Sequence, residues 1–144
     1  MTVLDILDAL VNEIDAMTLP APVVAQTTLL PRYRLEELSG PALATVTPQE
    51  ITLNPSHRGG HDPRYRVAIS IQRKLQGPND VIQDDMRESL EIAEAIAQAL
   101  YQKPLATLPR AICREASVSD IAIDDLTPQT LVFMATIAAE YQIT

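Results

Sequence analysis

The stretch Gln129-Thr-Leu-Val-Phe-Met-Ala-Thr-Ile-Ala-Ala-Glu-Tyr-Gln-Ile-Thr144 reads as one long β-strand whose leading half is apolar on both sides before it turns amphipathic. By the two-residue period of a strand, Leu131, Phe133, Ala135, Ile137, Ala139 and Tyr141 share one side. Val132 and Met134 share the other with Thr136, Ala138, Glu140 and Gln142. Two apolar sides at one end call for burial from both directions, either inside the fold or against a neighbouring copy of the chain.

Working back from this strand, residues 120–125 form an acidic stretch that reads as a loop, and residues 110–118 read as a strand containing Cys113. Pro104 and Pro109 close a helix expected from about Asp84 to Gln102. Its apolar side carries Met86, Leu90, Ile92, Ala93, Ile96, Ala97, Leu100 and Tyr101, and its polar side Arg87, Glu88, Glu91, Glu94, Gln98 and Gln102. Before the Gly77-Pro78-Asn79-Asp80 turn lies the clearest alternation in the chain, with Tyr65, Val67, Ile69 and Ile71 facing one way and Arg66, Ala68, Ser70 and Gln72 the other. Residues 52–63 are dense in turn formers and read as a loop.

Residues 42–47 read as a strand stopped by Pro48, residues 35–38 as a single helical turn closed by Gly40, and residues 23–30 as an edge strand bounded by prolines. The first helix carries Val3, Leu4, Leu7, Leu10, Val11, Ile14 and Met17 as an apolar stripe opposite Asp5, Asp8, Asn12 and Asp15. The order is helix, three strands, helix, two strands, without regular β-α alternation or internal repeat. It predicts an α+β fold over residues 1–144: a single domain with a mostly antiparallel sheet of four to five strands and both amphipathic helices on one face.

Composition narrows the function classes. An apolar fraction of 47% with only 3% aromatics and no Trp requires a core of Leu, Ile, Val and Ala. A net charge of −8 argues against a surface that grips phosphate backbones, which needs clustered Lys and Arg. The single cysteine, Cys113, excludes an internal disulfide and any multi-cysteine metal site. The acidic residues near the amino terminus do not suit a signal peptide, and no stretch has the length of a membrane span.

Candidates for chemistry are sparse. Cys113 lies within a strand, with His57 and His61 in a loop as its possible partners, so a packed structural thiol is the simpler reading. His57, His61 and Asp62 are too few and too loosely held for a metal site, because Gly59 and Gly60 break any helix there. The pair Asp84 and Asp85 suits a helix start, and Asp124 and Asp125 fall in a loop. There is no phosphate-cradling glycine loop, no triad spacing and no aromatic platform for bases. No cofactor is called for, and the chain reads as an assembly component.

The run Tyr33-Arg-Leu-Glu-Glu-Leu38, the short strand reaching Val46-Thr-Pro48, the polar Arg58-Gly-Gly60 loop, Tyr65-Arg-Val-Ala-Ile-Ser-Ile-Gln-Arg-Lys74, the acidic amphipathic helix and the last strand together resemble tail terminator, or tail completion, proteins from the neck of long-tailed bacteriophages and prophages. The likeness covers most of the chain from about Val23 onward. It departs at the end of the last strand, where such proteins often place a basic residue after the tyrosine, whereas Tyr141 is followed by Gln142-Ile143-Thr144.

The resemblance implies a virion protein, made in the host cytoplasm, that assembles as a ring, commonly a hexamer, on the last ring of tail-tube protein. Such a ring halts tube growth and presents a surface to the head connector, while DNA passes through the lumen without specific binding and no membrane is involved. It requires a heterologous contact closed by rotation. For that contact His57, Arg58 and His61 of the 54–63 loop, together with Val132 and Met134, are the candidate interface residues. Replacing Val132 or Met134 with Asp is expected to separate subunits while leaving each folded. Alternatives are a head-closure or connector protein of the same neck, a dimeric α+β module holding a small apolar ligand, and a hydrolase using Cys113.

Overall fold

The computed structural model describes residues 2–28, 42–55, 61–127 and 130–144. The elements run α1 (Thr2–Ala16), β1 (Val23–Thr27), β2 (Ala42–Pro55), β3 (His61–Gln76), α2 (Asn79–Leu100), β4 (Pro104–Leu105), β5 (Leu108–Thr127) and β6 (Thr130–Ile143). They build a sheet of six strands in the order β1-β2-β3-β6-β5-β4. The α+β class matches the expectation, while the strand count exceeds the four to five expected. The sheet is also mixed: β1 pairs with β2 in parallel, and the other neighbours are antiparallel.

Three boundaries differ from the sequence expectation for identifiable reasons. Pro48 does not stop β2, because a bulge between Pro48 and Glu50 absorbs the missing N–H and pairing resumes as far as Pro55 opposite His61. Residues 120–125 belong to β5, whose register shifts between Ser119 and Ala122 and again between Asp125 and Thr127. Asp120 takes the left-handed conformation at φ 54°, which an Asp tolerates better than most residues. The turn-like composition thus marks bulges within a strand that the long β6 still pairs.

Helix α2 begins at Asn79, earlier than the expected Asp84. Gly77, at φ 115°, makes the tight exit from β3, and Pro78 at φ −62° stands as N-cap, so Asn79 and Asp80 open the helix instead of closing a turn.

Central β6 carries the core. Phe133, Ala135, Ile137, Ala139 and Tyr141 are all buried on the side packed by both helices, together with Val67, Ile69, Ile71 and Leu75 of β3 and Ala42, Ala44 and Val46 of β2. From α1 come Ile6, Leu7, Leu10 and Ile14, and from α2 Ile92, Ala93, Ile96 and Leu100. The stripe on α1 is rotated from the one expected, with Leu4 exposed and Ile6 fully buried. Leu90 of α2 and Tyr101, which caps its carboxyl end, are exposed, and Ser89 is buried with its hydroxyl donating to the Asp85 carbonyl at 2.7 Å. Arg73 clamps α2 to β3 through Glu88 at 2.7 Å and Asp85 at 3.6 Å. α1 lies against β1 and β2 toward one edge and β4 and β5 toward the other, which requires the sheet to curl toward its helix side.

Candidate assembly surface

The two sides of β6 diverge as their sequences dictate. Opposite the helices, Val132 is fully buried and clusters with Leu43 of β2, while Met134 packs against them half-exposed. Gln72, Thr45 and Thr47 are also buried on this side. Val132 is therefore core to the single subunit. An Asp there would unfold the subunit, contrary to the expectation that it would only separate copies, and Met134 is the residue of the pair that offers area to a neighbour.

Of the other candidate interface residues, His57 and Arg58 lie outside the described residues, and His61 opens β3 opposite Pro55. The helical turn expected at residues 35–38 also lies outside them. The 54–63 loop is shorter than expected because both flanking strands extend into it. The extension leaves a hairpin of β2 and β3 on which Ile51 and Leu53 are 52% and 59% exposed. Sequence reasoning missed these two residues because Pro48 and the turn formers masked the strand. The signal that could have found them is the alternation of Glu50, Ile51, Thr52 and Leu53 itself.

Polar side chains on the face opposite the helices form a row across four strands. Arg66 of β3 lies 3.6 Å from Glu140 and 3.8 Å from Glu50, and Glu115 is the register partner of Glu140 on β5. Arg66, Glu115 and Glu140, with Gln49, Tyr101 and Ser117, line an open depression of about 530 Å³. Three carboxylates around one guanidinium leave the row acidic, and both ion pairs are long, so they add little stability. A second depression of about 480 Å³ lies under the α1–β1 connection and is mostly apolar, with Ile14, Met17, Leu19 and Val23 among its walls.

Cys113 is buried, and its thiol donates to the Glu115 carbonyl at 3.2 Å. The Tyr141 hydroxyl lies against it without a well-formed hydrogen bond. Burial pushes the thiol above its ordinary value of 9.0, and burial reinforced by the neighbouring thiol raises the Tyr141 phenol further still. A nucleophilic cysteine needs the opposite shift, toward thiolate at neutral pH. Among the described residues no group of three or more His, Cys, Asp or Glu could hold a metal ion. No helix in the same set is long and apolar enough to cross a membrane.

The fold and these surfaces define a class: a single α+β domain with a curled mixed sheet, helices on one side and a partly polar, partly apolar second side. No protein-family model matches the chain, and no curated protein does. Among solved structures, a chain from one titled "Virion of native gene transfer agent (GTA) particle" shares its fold with a TM-score of 0.52 at 14% identity, covering 97% of both chains.

Proposed function

We propose that this protein is a structural subunit of a phage-type virion neck, capping the end of a tail tube as a ring and offering the joint to the head. The observation that carries the reading is end-to-end fold likeness, 97% of each chain, to a chain from a virion particle. Near-equal length matters here, since a shared local motif would cover part of one chain only.

The electrostatics support the role within the neck. A net charge of −8 keeps DNA moving through a lumen by disfavouring phosphate contact. The buried, proton-retaining thiol does not suit nucleophilic chemistry, which supports a role for the surfaces instead. A small-ligand module, the chief rival, works through an enclosed apolar cavity. Both depressions here open to solvent, and the larger is rimmed by charge.

Sedimentation of the purified protein over a wide concentration range, joined to negative-stain images, tests the reading. Closed rings with a central hole are the expected result. A fixed dimer without rings, or a mass shift on adding a small apolar ligand, would sink it.

A further inference from the structure

Among the described residues, two lengths of strand edge stand open in the sheet. β1 pairs with β2 only from Ala42 to Val46, with a last bond from the Thr28 N–H to the Val46 carbonyl, so among the described residues nothing pairs with the outer edge of β2 over residues 48–55. At the other end, β4 and its approach cover β5 only up to Cys113, whose N–H donates to the Lys103 carbonyl at 3.2 Å. Beyond it, residues 114–127 of β5 have no described partner on their outer side. We infer that these two edges pair with each other between copies: the β2 edge at residues 48–55 of one subunit adds antiparallel to the β5 edge beyond Arg114 of the next. The inference rests on the ring reading above and supplies its subunit contact.

Three features fit the edges to one another. The first is direction: β2 and β5 run oppositely in the sheet, so copies related by rotation about an axis along the strands bring them together antiparallel. The second is facing. Ile51 and Leu53 point to the helix side of β2, and Ala116 and Val118 point to the same side of β5, where they pack partly buried against the core. Pairing lays the exposed apolar pair beside a half-buried one and extends the core across the joint.

The third is charge. β3, alongside the β2 edge, brings Arg64 and Arg66, while from Glu115 to Thr144 the sequence has no Lys or Arg and carries Glu115, Asp120, Asp124, Asp125 and Glu140. The two guanidiniums, offset on the same hairpin by Glu50 and Asp62, thus stand where an acidic edge would meet them, a match that two β5 edges could not make.

The same edges carry guards. Pro48 and Pro55 flank the free length of β2, and bulges interrupt β5 on both sides of the regular run from Glu115 to Ser119. Such devices weaken casual strand addition, so the pairing is short and the subunit stays separate when dilute. Within one subunit, Leu53 opposite Pro63 lies at the level where β4 covers β5. The free lengths therefore meet only when successive copies are offset along the strands, as strands in closed sheets are.

Engineered cysteines in a Cys113→Ala background test this. Thr52 shares the polar face with Glu50, to which its hydroxyl donates at 3.1 Å, and Ser117 and Ser119 share that face on β5. Thr52→Cys combined with Ser117→Cys or Ser119→Cys should give, on mild oxidation, a covalent ladder of dimers and higher multimers, and each single variant should stay uncrosslinked. Dimers from Thr52→Cys alone would overturn the proposal in favour of a twofold contact between β2 edges. Rings seen by negative stain without cross-links in either double variant would overturn the edge pairing and leave the ring standing. A protein that stays monomeric by sedimentation at every concentration, without cross-links, would overturn both.

Discussion

The two sides of β6 use one strand in opposite ways. On the helix side Phe133, Ala135, Ile137, Ala139 and Tyr141 are at most 2% exposed, a continuous aliphatic and aromatic floor for α1 and α2. On the other side burial is confined to the start of the strand, where Val132 meets Leu43, and Thr136, Ala138, Glu140 and Gln142 follow half-exposed. Stability is thus concentrated on one side, and the other is left free to meet other molecules along most of its length. A strand with this asymmetry can tolerate polar changes on its open length and none on its floor.

The sharpest way to break that comparison is at the point where the sides are alike. Val132→Asp places an unpaired carboxylate at a fully buried position on the nominally open side. It should cost on the order of 5 kcal/mol, enough to unfold the subunit. Circular dichroism should show loss of the cooperative transition. A stably folded variant would mean that this side is open along its whole length. Next in size is Phe133→Ala, on the floor itself, which should destabilise by about 3–5 kcal/mol in urea titrations because it empties a large volume in the core.

The alternation in β6 and β3 was legible because each strand has one side that must be covered, and a period of two then fixes every residue. Ile69 and Ile137 are opposite one another in the register and both fully buried, as the pattern required. The hairpin beyond Pro48 and the strand through residues 120–125 were not legible. Their Pro and Asp residues carry turn propensity, and only the pairing offered by the partner strands, a non-local term, decides for β structure. The parallel β1 was likewise hidden, since strand direction depends on the path of the connection and not on the five residues of the strand. Of the candidate surface, Met134 was legible from period alone. Ile51 and Leu53 were not, because they stand on that unexpected hairpin.

The buried Cys113–Tyr141 contact gives a smaller effect with a defined sign. Its folded-state thiol pKa lies above the ordinary 9.0, so the folded protein holds the proton where the unfolded chain has released it. That stabilisation is fully present below about pH 9 and is lost as pH rises above it toward the raised value. Urea titrations at about pH 7 and about pH 10 should therefore show a larger drop for the wild type than for Cys113→Ala. Equal drops would remove the thiol as the cause.

Met134→Asp sharpens the comparison further along the open side. Met134 is half-exposed, so the carboxylate keeps access to water and the subunit should lose only about 1 kcal/mol. If this side meets a neighbour, ring formation should fall sharply while the melting transition stays cooperative, a separation that no change on the helix side can produce. Unchanged ring formation would take Met134 out of the contact and leave the β2 and β5 edges as the joint.

The smallest effect is expected at Arg66→Gln, at the centre of the acidic row. Both of its ion pairs are longer than a direct hydrogen bond, at 3.6 and 3.8 Å, and its side chain is 45% exposed. Surface pairs of this kind contribute about 0–1 kcal/mol, so the urea midpoint should scarcely move. The row itself becomes more acidic by one charge. If it faces the acidic β5 edge of the next copy, assembly should weaken, and added salt should narrow the difference from the wild type by screening the repulsion. A salt-independent loss of assembly would point instead to the shape of the guanidinium as the feature that the neighbour reads.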